Sequence, residues 1–243
     1  MNRGTRAFGS HPQLDCVTSE GRMNLSAEAA LFSILRLRMV EIQLRERGIR
    51  DERVLGAMSR VPRHEFTPQE YRNQAYEDHP LPIAEGQTIS QPYIVALMLE
   101  ALALTPGDRV LEVGTGSGYV TALLAELTAH VVSVERHAVL ADEARTVLAS
   151  MGHTNVQVIV GDGSLGFLAR APYDAIIVSA ATPELPGALV AQLAEGGRMI
   201  IPVGPADAQQ LQLIQMLEGQ LRITLRETCR FVPLVSGGKA WDV

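Results

Sequence analysis

Apolar residues recur at helical spacing early in the chain. Leu31, Ile34, Leu35, Leu37, Val40, Ile42 and Leu44 suit one helix over Ser26–Arg47, and Gly48 is placed to stop it. Asp51 can cap a second short helix reaching Met58, because its carboxylate can accept from the unpaired N–H groups of a first turn. Pro62 and Pro68 then bracket a connection, and residues 71–90, with Pro80, Pro82 and Gly86, read as irregular. A helix is expected over Pro92–Ala103. Proline suits its first position, where the missing N–H would have had no partner.

After Thr105-Pro106-Gly107-Asp108 the pattern changes. Strands are expected at Arg109–Val113, Val131–Glu135, Val156–Val160, Ala175–Ser179 and Arg198–Val203. Helices are expected between them at Ser117–Thr128, Ala138–Met151 and Leu185–Leu193, the last ended by Gly196-Gly197. The consecutive apolar residues Ala175, Ile176, Ile177 and Val178 fit a strand covered on both faces. Gln210–Leu217 and Ile223–Arg230 flank Glu218-Gly219-Gln220 and suggest an antiparallel hairpin. Alternating strands and helices imply an α/β fold: a mostly parallel sheet with helices on both faces, a C-terminal antiparallel hairpin and an N-terminal helical extension.

Residues 1–22 show no apolar period and contain Gly4, Gly9, Pro12 and Gly21. They read as a disordered tail, with Met23 as an alternative start. Residues 23–107 form a helical, substrate-binding region and residues 108–243 a ligand-binding core. The 243 residues are 47% hydrophobic and 20% charged, which suits a soluble protein with a substantial core. A formal net charge of −6 gives no global attraction to nucleic acid. No apolar run approaches the roughly 20 residues of a membrane span. Cys16 and Cys229 are too few for a disulfide framework and imply a reducing, cytoplasmic setting. No spaced His/Cys/Asp set suggests a metal.

The most informative chemistry lies at Val110-Leu-Glu-Val-Gly-Thr-Gly-Ser-Gly-Tyr119. Gly114, Gly116 and Gly118 fall in a strand-to-helix turn, where the backbone can approach a ligand without a Cβ clash. A dinucleotide fingerprint would require a glycine at 119, which is Tyr. Glu135 ends the second expected strand, where a carboxylate can accept from both hydroxyls of a ribose. Asp162, between Gly161 and Gly163, could accept from the amine of an adenine. All three segments fall at the carboxyl edge of one parallel sheet, where such folds bind ligands.

The G-x-G-x-G loop with Glu112 two residues ahead resembles the S-adenosylmethionine loop of Rossmann-like methyltransferases. That resemblance implies S-adenosyl-L-methionine as methyl donor, with Glu112, Gly114, Thr115, Gly116, Ser117, Gly118, Glu135, Asp162 and Gly163 in its site. Ser179-Ala-Ala-Thr-Pro-Glu184 lacks the aromatic clamp that base methyltransferases carry after the fourth strand. A more specific resemblance lies upstream, in Val61-Pro-Arg-His-Glu-Phe66, Tyr71–Asp78, Pro80–Ile83 and Gly86-Gln-Thr-Ile-Ser-Gln-Pro-Tyr93. It continues through Ser133–Arg136, Ala171–Val178, Ile201–Gly204 and Arg230–Val235, covering roughly residues 36–236. Together these segments resemble the bacterial type of protein-L-isoaspartate O-methyltransferase.

The resemblance implies methyl transfer to the free α-carboxylate of L-isoaspartyl residues in damaged proteins and peptides, by a monomer without nucleic-acid or membrane partners. It assigns the active-site serine to Ser90 and the substrate segment to Thr88, Ile89 and Ser90. A serine before Gln-Pro is otherwise a common helix cap. Glu77 and Asp78 could border the peptide cleft. The family's usual Gln after Gly-Tyr is Val120 here, expected to pack within its helix. The frequent aromatic after Gly-Asp-Gly is Ser164, expected to loosen the adenine pocket. The competing readings are a peptide-tailoring Asp O-methyltransferase and a non-catalytic S-adenosylmethionine-binding module.

Overall fold

The computed structural model describes residue 1 and residues 19–237, with the side chains of residues 19–26 left out. Helix α1 (Ser19–Arg38) continues into a π-helical stretch, Met39–Arg45. It therefore starts inside the segment read as a tail. Gly21 does not stop it, since one glycine costs a helix only about 1 kcal/mol. Residues 2–18 of that tail, including Cys16, lie outside the described residues. Helix α2 (Glu52–Arg60) is capped as expected, with the Asp51 side chain accepting from the Arg53 and Val54 backbone N–H groups. A two-residue pairing, β1 (Leu81–Pro82) with β2 (Thr88–Ile89), lies within the stretch read as irregular. Helix α3 (Pro92–Leu102) follows, and Ala103 ends it in the left-handed conformation.

The sheet then builds from β3 (Arg109–Val113), β4 (His130–Glu135), β5 (Val156–Val160), β6 (Tyr173–Val178), β7 (Leu193–Val203), β8 (Gln209–Leu217) and β9 (Gln220–Cys229). Its order is β5-β4-β3-β6-β7-β8-β9. The first five strands run parallel, and β8 and β9 are antiparallel additions. Helix α4 (Tyr119–Leu127) joins β3 to β4, and α5 (Ala138–Ser150) joins β4 to β5. The hairpin turn places Glu218 at φ 52° and Gly219 at φ 71°. Two successive positive φ angles match the twist of a two-residue hairpin.

Two expectations change after β6. Helix α6 spans only Gly187–Val190, and β7 begins at Leu193 rather than Arg198. The pairing of β6 with β7 shifts register between Tyr173 and Ala175, so the strand carries Gly196-Gly197 through an irregularity instead of starting after it. A Cβ on Gly197 would lie 3.0 Å from the Tyr173 carbonyl oxygen and 2.8 Å from that of Ala194.

Alternate strand residues feed two cores, as the period of a strand requires. Val110, Val131, Val158, Ala175, Ile177 and Ile200 face the larger one, which also takes in residues of α1, α2, α3, α4 and α5. Leu111, Val113, Val134, Ile159, Ile176 and Met199 face the smaller one, closed by Phe167, Leu189 and Leu193. The helices thus lie on both faces unequally. The larger core runs from Phe32 to Leu213 without a break, so the change of role near residue 107 is not a break in packing. Arg198 reinforces that junction. Its guanidinium donates to the Leu102 and Ala103 carbonyls and pairs with Asp108 at 2.5 Å.

Candidate active site

Register places the strand ends side by side. Val113 pairs with Val134 on one flank and Val178 on the other. The ladder continues one bond further, from the Gly114 N–H to Val134 O and from the Ser179 N–H to Val113 O, both at 2.8 Å. Gly114, Glu135 and Ser179 therefore emerge together where β3 meets β4 and β6. Strand order reverses at β3, and open α/β sheets bind ligands at such a point.

The glycine loop turns sharply there. Gly114, Gly116 and Gly118 have φ of 92°, 53° and 88°. Gly118 is the last residue before α4, and a Cβ on it would lie 3.1 Å from the Ala144 Cβ. The Glu135 carboxylate organises the loop. One oxygen accepts from the Gly116 N–H at 2.9 Å and the other from the His137 N–H at 3.0 Å.

A cavity opens over this edge. Of the expected donor-site residues it is lined by Gly114, Thr115, Gly116, Ser117, Glu135 and Gly163. Thr88, Ile89 and Ser90 also line it, so the expected substrate and donor segments meet there. Gly163 has no room for a side chain, since a Cβ would lie 2.5 Å from a Val113 methyl.

Three expected residues lie outside the lining. Gly118 packs under the loop. Asp162 is buried beside the cavity; its carboxylate accepts from the Ser164 N–H, the Ser164 hydroxyl and the Gly237 N–H. Glu112 is fully buried below the loop, where one oxygen accepts from Thr121 Oγ1 at 2.5 Å and Ser133 Oγ at 2.6 Å. Its other oxygen is buried without a partner. Burial pushes the Glu112 carboxyl up to about 8, against the two hydroxyls, which favour its charged form.

The Glu112 shift has a signed consequence for stability. A carboxyl with a folded pKa raised above its unfolded value stabilises the fold at low pH and loses that contribution as pH rises through about 8. Glu112→Gln should hold its melting temperature between pH 5 and pH 8.5 better than the parent. The difference should grow by up to about 1.4 kcal/mol per pH unit. Parallel melting curves for the two proteins would disprove the assignment.

Ser90 is not the helix cap. Gln91 occupies that position, with no side-chain capping bond, and Pro92 opens α3. Ser90 instead lines two spaces. One is the cavity over the glycine loop. The other is a groove walled by Pro80, Gln91, Ile94, Ala206, Thr228 and Phe231. Thr88, Ser179, Val232 and Pro233 are shared in the same way. Glu77 and Asp78 line neither space. The Glu77 carboxylate contacts His79 at 2.9 Å, and Asp78 pairs with Arg47.

The sequence left several wall residues unassigned. Val120 lines the cavity instead of only packing within its helix. Ser164 ties down Asp162 through a 2.6 Å bond. The segment 231–237 crosses the carboxyl edge as a strap. Its Val232 carbonyl accepts from the Ala181 N–H, its Leu234 N–H donates to Ala181, and its Gly237 N–H donates to Asp162. Val232–Val235 thereby close one side of the cavity. Cys229, at the start of this crossing, has its thiol pushed up to about 11 by burial.

The residues present suit an adenosyl methyl donor. Glu135 is a buried carboxylic side chain that lines the cavity, where its oxygens could accept from the hydroxyls of a ribose, and the glycines of the loop line the cavity beside it. Among the described residues no group of three His, Cys, Asp or Glu side chains could hold a metal, and no helix is long and apolar enough to cross a membrane.

Comparison with known proteins shows which family the chain resembles. A family model described as protein-L-isoaspartate(D-aspartate) O-methyltransferase matches residues 36–239. A protein-L-isoaspartate O-methyltransferase of Koribacter versatilis is 55% identical over 213 residues, 88% of this chain and 96% of that protein. One from Methanoculleus marisnigri is 57% identical over 205 residues, 84% of this chain and 92% of its own. A Plasmodium falciparum structure, titled as a putative enzyme of this name in complex with S-adenosyl-L-homocysteine, has 30% identity and a TM-score of 0.73. It covers 82% of this chain and 98% of that one.

Proposed function

This chain belongs to the protein-L-isoaspartate(D-aspartate) O-methyltransferase family, and from that premise we propose how its residues serve the reaction. It is an S-adenosyl-L-methionine-dependent enzyme that methylates the free α-carboxylate of L-isoaspartyl residues in damaged proteins. The observation that carries the residue assignment is the position of Ser90, on the boundary between the donor cavity and the open groove.

When bound, S-adenosyl-L-methionine supplies a methyl group on a positively charged sulfur. Glu135 accepts from the ribose hydroxyls, and Gly114–Ser117 cradle the donor with backbone. The groove beyond Ser90 receives the peptide. Ser90 donates its hydroxyl hydrogen to one oxygen of the isoaspartyl α-carboxylate, leaving the other oxygen to take the methyl in an in-line displacement. The oxygen–methyl bond forms as the sulfur–methyl bond breaks, and the bonding pair stays on sulfur. A carboxylate with a pKa of about 3.5 is already ionised at neutral pH, so no side chain has to act as base. Holding two reactants in line can supply up to about 7–11 kcal/mol of the barrier. The wall at Val232–Val235 keeps water from the meeting point, where a less solvated carboxylate reacts faster. The methyl ester then closes to a succinimide more readily than the free acid does, releasing methanol, and water opens the succinimide partly to normal aspartate. The scarcity of cysteine supports a cytoplasmic setting.

Labelled methyl transfer tests the reading on peptides that differ only in isoaspartate or aspartate. Base-labile label is expected on the isoaspartyl peptide alone. Equal labelling of both peptides would sink the specificity.

A further inference from the structure

Arg63 is fully buried. Its Nε donates to the Ala75 carbonyl at 2.7 Å, and one terminal nitrogen donates to the Ser90 carbonyl at 2.8 Å. The guanidinium also sits 4.9 Å from the centre of the Tyr119 ring, directly after the glycine loop. The remaining nitrogen has no partner. Among the described residues no carboxylate forms an ion pair with it, and the nearby Asp78 is paired with Arg47. Burial lowers its pKa only to about 10, so it stays charged at neutral pH. A buried cation without a direct ion pair is costly, and an apolar side chain would fill the space at less expense. Its contacts explain its presence in a different way. They reach the acceptor segment through Ser90 and the donor segment through Tyr119, from a single rigid plane of atoms.

We propose that Arg63 is a positioning residue for methyl transfer, fixing the Ser90 segment relative to the glycine loop so that acceptor and donor stand in line. The inference rests on Ser90 contacting the acceptor. A displacement needs its reacting atoms aligned, and a misplacement of about 1 Å can cost about a hundredfold in rate. Lysine at this position keeps the charge but lacks the planar fork, so it cannot hold both carbonyls and lie against the ring together.

A double-mutant cycle tests this, using Arg63→Lys, Ser90→Ala and the pair, with donor sites counted by S-adenosyl-L-homocysteine calorimetry. Arg63→Lys should lower kcat about tenfold to a hundredfold and leave the calorimetric affinity within about threefold. In the Ser90→Ala background the same change should cost much less, because the hydroxyl it positions is already gone. A general loosening of the fold would lower kcat equally in both backgrounds. Equal losses, or an unchanged kcat in folded Arg63→Lys, would overturn the proposal. Should Arg63→Lys not fold, Tyr119→Leu takes its place in the cycle. It removes the ring but keeps both carbonyl bonds, and the same non-additivity with Ser90→Ala is expected at saturating donor. An active parent enzyme keeps failure here separate from failure of the methyltransferase reading.

Discussion

Glu135→Ala should weaken binding of S-adenosyl-L-methionine and S-adenosyl-L-homocysteine by at least tenfold to a hundredfold. Two losses act together. The ribose hydroxyls lose a charged acceptor, worth about 1.5–3 kcal/mol. The Gly116 and His137 N–H groups lose the carboxylate that holds them, and the glycine loop loses its fixed shape. Glu135→Gln should fall between alanine and the parent, because one oxygen remains as acceptor while the amide nitrogen repels the second N–H. Calorimetry with S-adenosyl-L-homocysteine separates the three proteins. An unchanged dissociation constant in folded Glu135→Ala would remove Glu135 from the donor site.

Ser90→Ala should fold normally, bind the donor normally and lose about tenfold to a hundredfold in kcat/KM for an isoaspartyl peptide. One hydrogen bond to a charged group is worth about 1.5–3 kcal/mol, all of it at the acceptor. Because Gln91, not Ser90, precedes α3 as its cap, little stability should be lost. Activity should persist at a reduced level, since the acceptor is already ionised and the leaving sulfur already charged. Melting temperature, donor affinity and kcat/KM on one preparation settle the point. Lowered stability with an unchanged kcat/KM would return Ser90 to a purely structural role.

Strand ends were the most readable part of the site. Short apolar runs located β3, β4, β5 and β6, and a parallel sheet must bring their carboxyl ends to one edge. Gly114, Glu135 and Gly163 are therefore placed at that edge by the sequence pattern alone. What lies under that edge was less legible. Glu112 precedes the glycines by two residues, but strand alternation alone does not say whether it lines the cavity or serves the hydroxyls beneath. Arg63 stood inside a segment noted for its resemblance, yet an arginine in sequence carries no sign of being fully buried. Its partners at Ala75 and Ser90 lie 12 and 27 residues away. The strap was equally hidden, because Phe231–Gly237 has no period of its own and takes its path from bonds to Ala181 and Asp162. Strand β7 was misplaced for a related reason: two glycines usually end an element, and only the partner strand shows that the chain continues through them.

The strap also bears on how the protein comes into being. A ribosome makes a chain from its N-terminal side onward, and a domain generally folds as a unit. The glycine loop, Glu135 and Ser90 all precede residue 136, but the core that holds them reaches Leu213. The wall at Val232–Val235 and the Gly237 bond to Asp162 come from the last stretch of the described chain. A nascent polypeptide short of that stretch has the loop and its carboxylate but not the closing side. The finished cavity, and with it any stabilisation from a tightly held donor, arrives only once residues 232–237 have been made.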